Sequence, residues 1–370
     1  MATAEAMRRA AKISGADESA KVIAVSAGGR SANEKKITDE LISAYSLLNS
    51  GEGERKVFSD LSRRISKLVG ELKIQFDIAE ELMKIGDEES KTSSPDFLIS
   101  RGEYLYARIF ARASARKFVD SAEIVRFFGS GELNVDFSRF LIAEKFRETG
   151  GFITGGFYGG DESGNVRLFP RGGGDITGAL LALAVDADVY ENYTDVDGIL
   201  PVPPRLTAFI GGAANLPPLK EISFSQTEIL CDFSVNVLHR GVLKLLKGSG
   251  IPVRVKNTFN EFSGGTLVSE NAVSSEFFFA AEKFGTVKSA LEKRKTEVSL
   301  YDKFLSDSAR IENDDYVCFF SASERSERLI DGLKNYADFV VRADENGSLI
   351  SLPENDFNRL SRSFCAIFSE

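Results

Sequence analysis

Along most of the chain, apolar residues recur at three- and four-residue spacing and give way at intervals to short continuous apolar runs. That alternation predicts helices packed between buried strands. Ala2 to Ile13 carries the helical pattern, and Lys21-Val22-Ile23-Ala24-Val25-Ser26 is a run of the parallel-strand kind, closed by Ala27-Gly28-Gly29. Lys35 to about Leu82 reads mainly as helix with a break at Gly51-Glu52-Gly53-Glu54, and Pro95 to Ala113 is helical again. Short strands are predicted at Lys117–Val119, Glu123–Phe127 and Gly151–Thr154, with a helix over Phe137–Thr149. Asp175 opens an apolar helical run from Ile176 to Val185, and Asp188–Tyr193 reads as a strand ending in Thr194-Asp195-Val196-Asp197-Gly198.

Strands alternating with helices imply a three-layer α/β/α fold with a mainly parallel sheet. From about Thr266 the glycine-rich turns stop. Val268–Phe279 with helix Ala280–Arg294, then Tyr316–Ser321 with helix Ser323–Tyr336, predict a smaller α+β module suited to regulation or dimerisation. The expected division is therefore a domain over 1–266 and a module over 267–370.

Composition narrows the chemistry. The 46 Lys and Arg against 55 Asp and Glu give a net charge of −9, which disfavours bulk attraction to nucleic acid or an anionic membrane. With one histidine, His239, a zinc site built on two histidines is excluded. The three cysteines are scattered and fit a reducing, cytoplasmic setting. No signal-peptide core or membrane-length apolar run is found, so the expectation is a protein without a membrane partner.

The densest candidate for a site is Phe169-Pro170-Arg171-Gly172-Gly173-Gly174-Asp175-Ile176-Thr177-Gly178. Consecutive glycines let a ligand approach the backbone, and the N–H groups that open the next helix favour an anion. Arg171 adds a planar fork for carboxylate or phosphate. Alone, the run also fits a plain turn capped by Asp175. Gly155-Gly156-Phe157-Tyr158-Gly159-Gly160, Ser26-Ala27-Gly28-Gly29 and Thr194–Gly198 all lie where predicted strands end, the place where parallel sheets hold ligands. None is a Walker A loop or a GxGxxG fingerprint. Ser100-Arg101-Gly102-Glu103-Tyr104-Leu105 opens a helix with an acid in its first turn, and Glu103 either compensates the helix dipole or holds an ammonium group. His239 reads as a packing residue, and Lys256 as a candidate for nucleotide phosphates.

These segments, in this order, resemble the aspartate kinase family of the amino-acid-kinase superfamily. The resemblance runs from about Ala2 to Val268. It rests on Ser26-Ala27-Gly28-Gly29 with Ile37-Thr38-Asp39, the Arg-Gly-Glu103 segment, Gly156-Phe157-Tyr158-Gly159, Arg171-Gly172-Gly173-Gly174-Asp175, Tyr193–Gly198, Val237-Leu238-His239, Lys256-Asn257-Thr258 and Gly265-Thr266. It implies phosphoryl transfer from ATP, with Mg²⁺, to the side-chain carboxylate of L-aspartate. By the same resemblance Glu103 takes the substrate ammonium and Arg171 its α-carboxylate, while Thr38, Phe157 and Gly174 shape the pocket. Asp175 organises the phosphate-binding lysine, and Ser26, Gly28, Gly172, Gly173, Thr194, Asp195, Leu200 and Arg205 fall in nucleotide-binding segments.

The departures are specific. Gly174 stands where many relatives have serine, Leu200 where tyrosine is common, and Val202-Pro203-Pro204-Arg205 replaces Ala-Asp-Pro-Arg. The family's opening strand with Lys-Phe-Gly-Gly-Ser-Ser has no counterpart ahead of the first helix, and the expectation is a start codon assigned too late. An impaired amino-acid-binding homologue is the competing reading. Residues 267–370 are expected to form one ACT-like unit or a degenerate pair, with a homodimer and a lysine or threonine effector implied by analogy.

Overall fold

The computed structural model describes residues 3–16, 21–29, 36–48, 53–89, 94–170, 172–203, 216–235, 237–272, 278–292, 311–312, 316–321, 339–342 and 347–352, with positions 326, 330, 333 and 357. They form two compact units. The first takes Met1–Asn192 and Lys244–Ile251, and the second Tyr193–Leu243 and Pro252–Glu370.

The first unit opens with α1 (Ala4–Ala16) and β1 (Val22–Val25). Then come α2 (Ile37–Leu48), α3 (Gly53–Leu72), α4 (Ile78–Glu89), α5 (Pro95–Ala113), α6 (Ser121–Ile124) and α7 (Val135–Thr149). Strands β2 (Phe152–Gly155), β3 (Tyr158–Gly160) and β4 (Val166–Leu168) precede α8 (Gly173–Ala184), and β5 (Tyr190–Thr194) carries the chain into the second unit.

β1 and β2 pair in parallel from Val22 opposite Phe152 to Val25 opposite Gly155, and Phe118 joins the far side of β2 through a parallel bridge to Ile153. Alternation along the strands sends side chains to opposite faces. Ile23, Val25 and Ile153 enter a core with Met7 of α1, Ile65 of α3 and Leu105 and Ile109 of α5. Val22, Ala24 and Phe152 enter another with Ile142 of α7 and Ile176 and Leu180 of α8. Helices thus cover both faces, the expected three-layer α/β arrangement.

Local chemistry sets the boundaries. Ser94 caps α5 by accepting from the Asp96 N–H at 3.3 Å, with Pro95 at the first position, where its missing donor is harmless. Gly150 ends α7 in a left-handed conformation. The strand expected over Glu123–Phe127 is instead α6 followed by single bridges, because Asp120 accepts from the Ala122 N–H and starts a helical turn. Helix α8 is capped by Gly172, in the left-handed region at φ 82°, and not by Asp175, which lies in its first turn.

In the second unit, β7 (Val253–Asn257), β8 (Thr266–Ser269) and β6 (Glu221–Ser223) lie in that order in one sheet, with β6 and β8 parallel and β7 and β8 antiparallel. Helix α9 (Phe224–Asp232) begins with a reciprocal cap between Ser223 and Gln226, and α10 (Arg240–Leu246) carries the chain back into the first unit. Farther along, β9 (Phe279–Lys283), α11 (Phe284–Glu292), β10 (Tyr316–Ser321), β11 (Phe339–Arg342) and β12 (Gly347–Leu352) follow. Their strands make an antiparallel sheet in the order β11-β12-β10-β9. The helix expected from Ala280 starts four residues later because Ala280 and Ala281 pair with Phe319 and Cys318. Of the helix expected over 323–336, residues 326, 330 and 333 are described, and all three are helical.

Candidate functional site

Three backbone turns of the first unit converge at one end of its sheet. After β1 come Ser26–Gly29, after β2 come Gly156 and Phe157, and opposite them α8 begins. The Gly156 N–H donates to the Val25 carbonyl at 2.9 Å, so the second turn is tied to the first strand. A Cβ on Gly156 would lie 2.9 Å from Gly174 Cα, closer than real side chains pack. One on Gly173 would strike the Phe169 side chain and lie 3.0 Å from Phe157 Cα. These glycines let strand turn and helix N-terminus meet backbone to backbone.

Phe157 has φ 75°, a left-handed conformation that costs a non-glycine residue of order 1 kcal/mol or more. It is held there from both sides: its N–H donates to Thr177 Oγ1 at 3.2 Å, and its carbonyl accepts from the Phe169 N–H at 2.8 Å. Thr177, fully buried, also donates to the Gly173 carbonyl at 2.8 Å. Thr177 lies within the glycine-rich run of the sequence, which gave it no role of its own. Its one signal in the sequence is a hydroxyl on the otherwise apolar face of α8.

Glu103 projects from α5 beneath the first turn. It is 3% exposed, and its Oε1 accepts from Thr38 Oγ1 of α2 at 3.3 Å. Its Oε2 is buried without a hydrogen-bond partner. Loss of water around the carboxylate pushes its pKa up to about 7, against the opposing pull of backbone N–H groups, the Lys36 charge and the Thr38 hydroxyl. A buried carboxylate with one oxygen unsatisfied is a costly arrangement that an incoming cationic donor relieves.

Arg101, two residues earlier, does something else. Its guanidinium lies 4.3 Å from the centre of the Phe97 ring and 4.5 Å from that of Tyr104, and it donates to the Phe97 carbonyl and the Ser100 hydroxyl. It locks the helix that presents Glu103. Gly28 is packed under the Tyr106 phenol, where no side chain fits, and the Asp175 carbonyl accepts from Tyr190 Oη at 3.2 Å.

Ser26, Gly28, Thr38, Glu103, Phe157, Gly172, Gly173, Gly174 and Asp175 therefore all belong to the first unit, at the loops and helices just described. Arg171 and Arg205 lie outside the described residues.

Thr194, Asp195 and Leu200 belong to the second unit. There the Thr194 carbonyl accepts from the Thr258 N–H at 2.9 Å, and Asn257 donates to the Asp195 carbonyl at 3.4 Å and to Asp197 Oδ1 at 2.7 Å. Asn260 adds a second bond to Asp197 at 3.0 Å, so the 194–198 turn is fixed against the segment after β7. Lys256 Nζ sits 5.3 Å from the centre of the Tyr193 ring. His239 Nδ1 accepts the Gly241 N–H at 3.1 Å, a local role at the start of α10. Among the described residues no helix is long and apolar enough to cross a membrane.

A fold with helices on both faces of a parallel pair, and glycine-lined turns beside a helix N-terminus at the strand ends, suits a binder of small anionic molecules. The amino acid kinase family model matches residues 1–257, and the chain belongs to that family. Within it the chain is similar to aspartokinases. It is 28% identical over 267 residues to aspartokinase 3 of Bacillus subtilis, covering 68% of this chain and 58% of that protein. To the lysine-sensitive aspartokinase 3 of Escherichia coli it is 28% identical over 320 residues, covering 80% and 66%. The chain thus spans about three-fifths of the length of these curated relatives. Among solved structures, the aspartate kinase of Clostridium acetobutylicum superposes with a TM-score of 0.79 at 25% identity, covering 100% of this chain and 97% of that one. Aspartokinase III of E. coli, solved with aspartate and ADP, gives 0.72 at 20% identity, covering 100% and 97%, a likeness of fold.

Proposed function

We propose that the protein is an aspartate kinase, transferring the γ-phosphoryl group of ATP to the side-chain carboxylate of L-aspartate and giving 4-phospho-L-aspartate, the first step toward lysine, threonine and methionine. The observation that carries the reading is Glu103, whose unpartnered Oε2 is buried beside the turn after β1. An amino acid's ammonium supplies the donor and positive charge this oxygen lacks. Thr38 steadies the other oxygen, and Phe157 and Gly174 are assigned to the same pocket. Arg171 is assigned the substrate α-carboxylate.

The chemistry asks for little else in the way of acid–base groups. A carboxylate nucleophile is ionised at neutral pH, so no general base is needed and a single histidine is no handicap. The difficulty is bringing an anion against a polyphosphate, and it is met by positioning and by donors aimed at the developing charge. The N–H groups that open α8, flanked by Gly172 and Gly173, are such donors. The Ser26–Gly28 turn, Thr194, Asp195, Leu200 and Arg205 are assigned to the nucleotide, and Asp175 to organising the phosphate end.

The N–H groups that open α8 suit a phosphate chain, and Gly156 and Gly173 let the neighbouring turns close on that helix end. Among the described residues no three His, Cys, Asp or Glu side chains cluster to hold a metal ion. Mg²⁺ arriving with ATP would take its ligands from phosphate oxygens and water, and would supply charge neutralisation.

The reading extends to the C-terminal portion. Residues 1–266 are assigned to the kinase domain and 267–370 to an ACT-like module, supported by the antiparallel β9–β12 sheet with α11 against it. A homodimer and a lysine or threonine effector belong to the same proposal. E. coli aspartokinase III has been solved with lysine and aspartate. A cytoplasmic location goes with this pathway role.

The test is ADP release from Mg-ATP on adding L-aspartate, with the acyl phosphate trapped by hydroxylamine. Aspartyl hydroxamate formed in step with ADP supports the reading. Turnover with L-glutamate or N-acetyl-L-glutamate in place of L-aspartate would refute the substrate assignment.

A further inference from the structure

At the end of α8 away from the glycine turns, about 18 Å along a helix of 12 residues, the first unit holds a cavity of about 690 Å³. It is lined from α7, from the loop between α8 and β5, and from the returning stretch at the end of α10. Leu183, Leu245 and the buried Ile251 supply apolar lining, and Leu245 is anchored in the core beneath α7 and α8. The loop after α10 is held by its own bonds. The Ser249 N–H and hydroxyl both donate to the Leu246 carbonyl, at 3.0 and 2.6 Å, and Ser249 Oγ accepts from the Ile251 N–H at 3.1 Å. Gly248 and Gly250, at φ 80° and 77°, have nothing within 4 Å of an added Cβ, so this wall is bare backbone facing open space. The cavity is therefore preformed, with a volume in the range of small-molecule sites.

Its charges are placed for a guest. Arg139 of α7, Asp186 and Asp188 all line the cavity, yet none of the three makes an ion pair or hydrogen bond among the described residues. Other charges on α7 do pair within a turn, Lys145 with Glu148 and Arg147 with Glu144. Arg139 has Asp136 one turn back on the same helix and does not bond to it. Asp186 sits in the left-handed region at φ 48° where α8 closes, with the Ala187 N–H on the Ala182 carbonyl at 3.0 Å, and the carbonyl end of the helix adds negative potential there.

A guanidinium from one element and two carboxylates beside a helix C-terminus, sharing a cavity without meeting, are the complement of a molecule that carries both charges. We infer that this cavity is a second ligand site, for a small zwitterion of amino-acid to dipeptide size. Its carboxylate takes the planar fork of Arg139, and its ammonium is held by Asp186 and Asp188. A simple anion or a simple amine satisfies half of the site. The cavity uses neither Glu103 nor the glycine turns, and it contains no residue of 267–370, so it stands apart from both the aspartate reading and the portion assigned to effector control.

The experiment titrates the full chain, free of nucleotide, with each of the common L-amino acids and with glycylglycine, by calorimetry, with acetate and methylamine as half-ligands. At least one zwitterion is expected to bind with a Kd below about 1 mM, and acetate and methylamine at least about tenfold more weakly. Arg139→Leu, and separately Asp186→Asn/Asp188→Asn, should each weaken that zwitterion at least about tenfold, whereas Glu103→Gln leaves it within about twofold. The two variants alter different elements, so if one does not fold the other decides. A panel in which no zwitterion binds, or none depends on these side chains, overturns the proposal, and so does acetate binding as tightly as the amino acids. L-aspartate binding that is lost in Glu103→Gln and kept in Arg139→Leu reports the first site alone, so failure of the one reading is told from failure of the other.

Discussion

Glu103 sets the behaviour of the candidate site with pH. Burial raises its pKa to about 7, so near neutrality the empty site is divided between a neutral carboxylic acid and a carboxylate. The ammonium of an amino acid favours the ionised form. Affinity for L-aspartate is therefore expected to rise between about pH 6 and pH 8 and then level, as calorimetry across that range would register. Glu103→Gln should flatten the rise and weaken binding by at least about tenfold, because an amide offers no charge to the cation. Stability follows the opposite course. A carboxyl whose folded pKa exceeds its unfolded value contributes stability fully below about pH 4.5, and loses it as pH climbs through 7. In ligand-free protein, Glu103→Gln should raise the melting temperature more at pH 8 than at pH 5. The motif reading set Glu103 in the first turn of a helix opening at Ser100, but α5 opens at Pro95 and its first-turn acid is Asp96, so Glu103 lies well inside the helix.

The elements at the site are fixed by backbone contacts more than by side-chain packing, so equivalent glycine substitutions should differ sharply in effect. At Gly173 an alanine methyl would run into Phe169 and crowd Phe157, with an expected cost of roughly 2–4 kcal/mol in chemical denaturation. At Gly70, inside α3, nothing lies within 4 Å of the added carbon, and alanine there should gain about 0.5–1 kcal/mol. Arg240 and Asp232 give a third comparison. Asp232 is buried and paired with Arg240, so Arg240→Ala removes one partner of a buried charge and should cost about 2 kcal/mol by the same measurement. The glycine run, the strand ends and α5 were legible because Gly, Pro and apolar periodicity act locally. The β3–β4 hairpin was not, since glycine-rich Tyr158–Gly160 lacks strand propensity and pairs only because Val125 and Arg126 shape its other edge. Nor was the hydroxyl of Thr177 under Phe157, a contact across twenty residues that no spacing rule reaches.

At the scale of the whole molecule, the three-layer core follows from the alternation of strand and helix patterns, and the order of motifs was sufficient to indicate the family. The division into units was not readable, because no linker composition marks it. If both ligands bind the native state alone, saturation with L-aspartate or ADP at a hundred times its Kd should stabilise the protein by about 2.7 kcal/mol, visible as a rise in melting temperature. The chain leaves the first unit at residue 192, returns for Lys244–Ile251, and leaves again. Leu245, in that returning stretch, packs against the core beneath α7 and α8. A scissors cut after residue 192 therefore liberates no self-sufficient half: the amino-terminal fragment lacks an eight-residue plug encoded some fifty codons downstream. Supplying that plug as a separate peptide, or grafting it on, is what a minimal recombinant version would require.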